Sequence, residues 1–359
     1  MAARRAIAWL GLRQAPFVRA VARRAGLELV GVGLGEAGDG AALAQGMGCP
    51  LVDDLRGALL SSDVEVVWIA RAGDFGEPRQ SAADARALAG AGARGVRVVA
   101  SEPLPTRVQD LSLDAWRDDA PAWVGLPLGL GCVRDLASGV ESLGGVRSAM
   151  VRVETTASHA SLATALVGAM ELIDEVLGEP ETVHGAYASA ARAAGVHAMP
   201  GERVSGVHGE VFATLRFGSG RGAGLWCSDA APGPSFSLAV LGGAGRATAR
   251  ADERGEDLTL CRDGEALPAQ ESAAAPRARA RVAGSAVPGS GATLFSGDDD
   301  WLARHTAREI VRVLGGTPSH RAPHRAARAL ALAQACLLSV RTGQAESPEL
   351  FLRDVEGRG

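Results

Sequence analysis

"AWLGLRQAPFVRAVARRAGLELVGVGLGE", residues 8–36, decides the fold of this chain. An apolar run ends at Gly11, a short turn follows, and Pro16–Arg24 sets apolar residues at helical spacing. A second apolar run, Leu27–Val32, closes on further glycines. Strand, tight turn, helix and strand make a βαβ unit, the building block of a doubly wound parallel sheet. Turns of this kind that cradle a phosphate carry three glycines as GxGxxG. Here Gly11 holds the first place, while Arg13 and Pro16 hold the second and third.

The same alternation continues. Val64–Ala70, Val96–Ala100 and Trp123–Leu126 read as further strands, and Ala41–Gly46 and Ser81–Ala91 as helices. Beyond residue 124 the pattern changes. Val133–Leu143 reads as a helix, Val146–Glu154 as a strand, and Leu162–Leu177 as a long helix closed by Gly178. Strand-like runs then follow one another across glycine-rich turns: Thr182–Ala190, Gly209–Arg216, Gly222–Ser228, Ser235–Gly242, Ala247–Ala251 and Leu258–Cys261. Two helices, Asp298–Leu314 and Pro323–Arg341, close the chain. The expected architecture is α/β plus α+β. Residues 1–124 form a Rossmann-like doubly wound parallel sheet, and residues 125–359 carry an open, largely antiparallel sheet. Residues 271–292, rich in Ala, Pro, Gly and Arg, are expected to be a mobile loop.

Composition narrows the function classes. The net charge of −4 leaves no basic footprint for nucleic acid. No apolar run approaches the ~18 residues of a membrane span. Five cysteines without CxxC spacing predict a reducing, cytoplasmic setting and no zinc knuckle. All 37 basic residues are arginine, and there is no lysine and no asparagine. No step can therefore use a lysine ammonium as proton donor or Schiff base.

The order of elements resembles the glucose–fructose oxidoreductase and inositol dehydrogenase (Gfo/Idh/MocA) family. The strings that carry the resemblance are "LELVGV", "SSDVEVVWIA", "VRVVASEPLP", "VESLGGVRSAMVRVE", "ELIDEVLGEPETV", "GEVFATLRFGSGRGAGLWCSDAAPGPSFSLAVLGGAGRA" and "ARALALAQACLLSVRTGQ", spread over nearly the whole chain. The resemblance implies NAD(P)-dependent hydride transfer at a sugar or cyclitol carbon. It also implies a lysine after the strand at 96–100 and a histidine on the long helix at 162–177.

Each of those parts departs from the family pattern. Gly11, Leu12 and Arg13 are the cofactor-turn candidates, with the Arg13 side chain expected to fill the space a pyrophosphate needs. At the end of the second strand Leu34 takes the place of the ribose-binding acid. Glu36 substitutes for it only if the loop bends, the alternative being a solvated flexible loop. The family's Glu-Lys-Pro becomes Ser101-Glu102-Pro103, so a carboxylate stands where an ammonium is expected and would repel phosphates or an alkoxide. An ungapped alignment puts Thr164 and Gly168 at the helix's Asp and His positions; a deletion of nearly one turn puts Val167 and Glu171 there and matches "ELID". Both leave the histidine absent.

The catalytic candidates are therefore Glu102 and Glu171, read as a carboxylate pair that divides acid and base roles. The structural alternative is a solvated Glu102 and a Glu171 that shares a polar helix face with Glu175. His159, in "TTASHASL", is the histidine nearest the expected cleft, with capping or surface placement as its alternative. His184, His197 and His208, or the His320/His324 pair, could suggest a metal, but no second-shell pattern supports one, and none is expected.

The residues thus predict a divergent oxidoreductase-like protein without a cofactor, either a pseudoenzyme or a cofactor-free acid/base enzyme on a sugar-like ligand. One alternative is an active enzyme using NAD or NADP through an atypical phosphate turn. Another is a non-catalytic subunit of an active paralogue. A homo-oligomer or paralogue complex is expected through the second sheet, with Val211, Ala213, Leu215, Leu225 and Phe236 on the buried interface or, equally, in the core.

Overall fold

The computed structural model describes residues 3–113, 116, 120–125, 127, 129–188, 204–218, 220–262, 265–267, 300–316 and 323–356. The expected loop at 271–292, His197, His320, and the outer ends of the strands expected at 123–126 and 182–190 and of the helix expected at 298–314 lie outside them.

The βαβ unit forms as read. Strand β1 (Arg4–Leu10) leads through a single 3₁₀ turn at Leu12–Gln14 into α1 (Ala15–Ala25), and β2 (Leu27–Leu34) follows. Pro16 sits in the first turn of α1, where its missing N–H costs nothing, and Gly26 ends the helix at φ +67°. After β2 come α2 (Gly40–Met47), α3 (Leu55–Ser61), β3 (Val66–Ile69), α4 (Ser81–Ala93), β4 (Arg97–Ala100) and β5 (Ala122–Trp123). The five strands are all parallel, in the order β2-β1-β3-β4-β5. Residues alternate between the two faces: Ala6, Ala8, Leu10 and Trp68 join one core, and Trp9, Val67 and Ile69 the other. Helix α3 lacked a periodic signal because it is only two turns long; Asp54 starts it by accepting the Arg56 N–H.

The second half opens with α5 (Gly131–Gly139), β6 (Val146–Thr156) and α6 (Leu162–Leu177). Ser161 caps α6 by accepting the Thr164 N–H, and Gly178 ends it. Strands β7 (Thr182–Ala188), β8 (Glu210–Arg216), β9 (Gly222–Ser228), β10 (Ala230–Gly242), β11 (Gly245–Asp252), β12 (Gly255–Arg262) and β13 (Glu265–Leu267) follow. They form an eight-stranded sheet in the order β13-β12-β11-β10-β6-β9-β8-β7. One pairing, β6 with β9, is parallel, because α6 carries the chain across the sheet before the β7–β9 meander returns to it. The sheet is therefore mixed rather than purely antiparallel.

Helices α6 and α8 (Pro323–Thr342) cover one face of this sheet, and α7 (Trp301–Leu314) packs on α1 and so joins the two halves. A last helix, α9 (Glu349–Glu356), packs beside α8. Val211, Ala213, Leu215, Leu225 and Phe236 all point into the helix-covered core. The opposite face carries Met150, Phe212 and Leu241 at 57%, 43% and 52% exposure. No described helix is long and apolar enough to cross a membrane.

Candidate active site

Between β1 and β3 the strand order reverses direction, which leaves a crevice outside the carboxyl ends of the strands. Four loops line it: Gly11–Gln14 after β1, Gly35–Glu36 after β2, Arg71–Ala72 after β3 and Ser101–Glu102 after β4.

The phosphate turn keeps its shape with one glycine because Gln14 holds it. The Gly11 N–H donates to Gln14 Oε1 (2.9 Å) and the Gln14 N–H to the Gly11 carbonyl (2.9 Å). The buried Gln14 amide then donates to the carbonyls of Ala70 (3.3 Å) and His159 (3.4 Å), tying the turn to β3 and to the second half. Arg13 is exposed. The group lying over the turn is Glu36. Its Oε1 accepts the Leu12 N–H at 2.8 Å, and a Cβ built on Gly11 would meet that oxygen at 3.0 Å. Glycine at position 11 is what makes room for an anion there.

Glu36 is exposed, but its loop is pinned at Gly35. A Cβ on Gly35 would lie 2.3 Å from the Arg71 carbonyl, and one on Gly73 (φ +65°) 2.8 Å from the Gly35 carbonyl. The loops after β2 and β3 thus pack backbone against backbone, which bends Glu36 over the turn and sets Arg71 beside it. Gly35 of "VGVGLGEAGDG" and Gly73 of "RAGD" serve that close approach.

Arg71 also answers the charge reversal at Glu102. Ile69 and Ala100 are register partners on parallel β3 and β4, so residues 71 and 102 emerge side by side. Arg71 Nη1 lies 3.0 Å from Glu102 Oε1, and the Ala72 N–H donates to Oε2 at 2.7 Å. Both side chains are nearly buried. The repulsion expected from Glu102 is compensated by a guanidinium one strand over. Arg71 Nε is buried with no hydrogen-bond partner among the described residues, 3.8 Å from Glu36 Oε2. The Leu12 N–H and Arg71 Nε therefore border one anion position, which the Glu36 carboxylate now occupies. A dinucleotide pyrophosphate fits those two groups once Glu36 turns aside.

Glu171 lies on α6 and is 2% exposed, so it is not on the polar face that Glu175 occupies. Glu102 takes Arg71 and Ala72 as its partners. Thr164, the Asp position of the ungapped alignment, donates its hydroxyl to the Ser101 carbonyl (2.9 Å), docking α6 on the end of β4. His159 has both ring nitrogens engaged: Nδ1 with Thr156 Oγ1 (2.6 Å) and Ser158 Oγ (3.1 Å), Nε2 with Asp300 Oδ2 (2.8 Å). Its ring meets Phe17 edge-on at 5.1 Å. Asp300 also caps α7 by accepting the Leu302 and Ala303 N–H groups. Burial works against the Asp300 carboxylate, but these bonds hold its pKa below the usual value. His159 is thereby a tie between elements. Among the described residues no group of three or more His, Cys, Asp or Glu is placed to hold a metal ion.

One pair escaped the sequence reading. His208 Nδ1 lies 2.9 Å from Asp229 Oδ2, and Asp229 Oδ1 accepts the Gly209 N–H at 2.7 Å. The register supplied the missing signal. With Glu210 paired to Ser228 on β8 and β9, the residues just outside the hairpin, His208-Gly209 and Asp229, must meet at the same end. The hydrogen bond to Asp229 raises the His208 pKa against the opposing effect of burial, and both Arg71 and Glu102 act on it electrostatically.

No family model matches this chain, and no curated protein sequence matches it. Solved structures do. Levoglucosan dehydrogenase in complex with NADH and levoglucosan is 14% identical, with 95% of this chain and 98% of that one covered at a TM-score of 0.58. GenD2 from gentamicin A biosynthesis, in complex with NAD, is 19% identical, with 97% of each chain covered and a TM-score of 0.62. The WlbA dehydrogenase from Bordetella pertussis, in complex with NADH and UDP-GlcNAcA, is 17% identical, with 96% and 97% covered and a TM-score of 0.60. These structures overturn the expectation of no cofactor: their fold carries NAD or NADH, and the turn at Gly11 here presents an N–H to an anion. Over nearly its full length, this chain has the fold of these three proteins, each captured with NAD or NADH.

Proposed function

We propose that this chain is an NAD-dependent oxidoreductase of the Gfo/Idh/MocA type. It would act on a hydroxyl or carbonyl of a sugar-like, cyclitol or related biosynthetic molecule, with the two domains dividing at residue 124. The observation that carries the reading is the anion position bordered by the Leu12 N–H and Arg71 Nε over Gly11. Those two groups would hold the pyrophosphate, and Glu36, displaced from the turn, would take the ribose hydroxyls. A carboxylate in that role disfavours the 2′-phosphate of NADP. When bound, the nicotinamide supplies a two-electron hydride acceptor or donor.

The Thr164 hydroxyl bonded to the Ser101 carbonyl and the Gln14 amide bonded to the His159 carbonyl hold the start of α6 and the loop before it against the crevice. Glu102 is bonded to Arg71 and to the Ala72 N–H, which commits both of its oxygens to the protein. Arginine cannot serve as a proton donor at all. The outer face of the second sheet, with Met150, Phe212 and Leu241 exposed and Trp226 stacked on Phe212 at 5.6 Å, is proposed to bury itself against a second copy of the chain.

Calorimetric titration of the full chain with NADH and NADPH tests the reading. NADH is expected to bind at micromolar concentrations, more tightly than NADPH. No heat of binding for either at millimolar concentration would overturn it.

A further inference from the structure

We infer that His208, held by Asp229, is the proton-transferring group of this site. The inference rests on the dinucleotide reading above and names a residue for chemistry that reading leaves unassigned. A substrate hydroxyl that loses hydride must also lose a proton, and the chain has no lysine to take it. Arg71 is permanently protonated, Glu102 is bonded to Arg71 and Ala72, and both nitrogens of His159 are engaged.

His208 meets the geometric requirements. Asp229 is buried and fixed by the Gly209 N–H, so it orients the imidazole through Nδ1. The Tyr187 hydroxyl donates to the His208 carbonyl and steadies the backbone from β7. Nε2 has no hydrogen bond among the described residues, and the side chain is 58% exposed. The segment leading to His208 is tied to the chain that follows Glu102: the Val204 N–H donates to the Thr106 carbonyl (3.2 Å). The charged and titratable groups that reach the imidazole are Asp229 from the β9–β10 turn, Arg71 from the loop after β3 and Glu102 from the loop after β4. The dyad thus lies within electrostatic reach of the loops that follow β3 and β4.

In the oxidation direction the hydroxyl proton passes to Nε2 of neutral His208 while Nδ1–H donates to Asp229, which balances the imidazolium charge. Bound NAD would supply the acceptor for the carbon-bound hydrogen and its electron pair, so that loss of the proton to His208 leaves a carbonyl. In reduction the same imidazolium returns the proton to the carbonyl oxygen. Asp229 is a positioning residue and His208 the group that touches substrate.

NMR of the full chain labelled at its histidines tests this, with His208 assigned through His208→Gln. His208 is expected to titrate above 6.5, to fall to or below 6.5 in Asp229→Asn, and to fall in Glu102→Gln, whose charge raises it. Asparagine retains an acceptor for the Gly209 N–H, and Glu102→Gln lies on another element, so the test survives loss of one variant. Saturating NADH is expected to shift the His208 resonance. An unchanged His208 resonance in protein that calorimetry shows to bind NADH overturns the proton-transfer role and leaves the cofactor reading standing. A His208 pKa at or below 6.5 in the unaltered protein, or one insensitive to both substitutions, also overturns it. Absence of NADH binding removes the reading on which it rests.

Discussion

Replacing Glu36 by alanine separates the two roles assigned to its carboxylate. Without ligand it caps the turn through the Leu12 N–H at 2.8 Å, with 37% of its side chain exposed. A hydrogen bond to a charged acceptor is worth ~1.5–3 kcal/mol when sheltered, and screening at this exposure brings it to about 1 kcal/mol. That favours the capped turn by about five-fold, so an incoming phosphate binds about five-fold more weakly than its intrinsic affinity. Inorganic pyrophosphate, which has no ribose, should therefore bind Glu36→Ala about five-fold more tightly. NADH gains the same factor but loses a charged acceptor for its ribose hydroxyls, a loss of about ten-fold or more. NADPH gains without that loss. The NADH-to-NADPH affinity ratio should fall by about ten-fold, read by competition calorimetry against pyrophosphate. An unchanged pyrophosphate affinity would refute the capping role, and an unchanged ratio would refute the ribose role.

Two further outcomes follow from the packing. His305 on α7 is fully buried, and burial first, then Arg308, Arg134 and Arg312, push its pKa down to about 3. The unfolded chain therefore binds a proton between the ordinary value of 6.5 and that depressed value while the folded chain does not, so stability falls with pH in this window. The loss is about 1.4 kcal/mol per pH unit at most. Urea unfolding at pH 7, 5.5 and 4.5 should show a shallower decline for His305→Leu, and parallel slopes would contradict the assignment. On the open sheet face, Met150→Glu should convert the assembly to monomer by light scattering without loss of helix content, and an unchanged mass would remove that face as the interface.

The fold was legible because its signals are local and periodic. The unbroken apolar run of Ala6–Leu10, bounded by Gly11, and the cap and stop of Leu162–Leu177 fix those elements without any long-range information. The site was less so, because its decisive contacts join loops distant in sequence. The pairing of Arg71 with Glu102 depends on the register of β3 against β4, and "RAGD" next to "SEP" gives no local sign of it. Glu36 lacked a visible partner because its loop reads as flexible, whereas Gly35 and Gly73 are places where backbone meets backbone. His208 and Asp229 were recoverable: carrying the β8–β9 hairpin register one step past its expected ends brings them together.

The chemistry that remains follows from an arginine-only composition. In a parallel sheet, adjacent strand ends lie about 5 Å apart, so either of two neighbouring loops can supply a cation to one place. Here the loop after β4 presents a carboxylate and the loop after β3 presents the guanidinium that neutralises it. The electrostatic part of the ammonium's work can thus be met by Arg71 from an adjacent strand. The proton-transfer part cannot, because a guanidinium does not deprotonate in a protein. Separating those duties requires a second group whose pKa lies near neutrality and which reaches the same strand ends. Among the described histidines whose surroundings are set out above, His305 is buried and depressed to about 3 and His159 is bonded at both nitrogens. His208, raised by Asp229 and within the electrostatic reach of Arg71 and Glu102, combines a usable pKa with the right place.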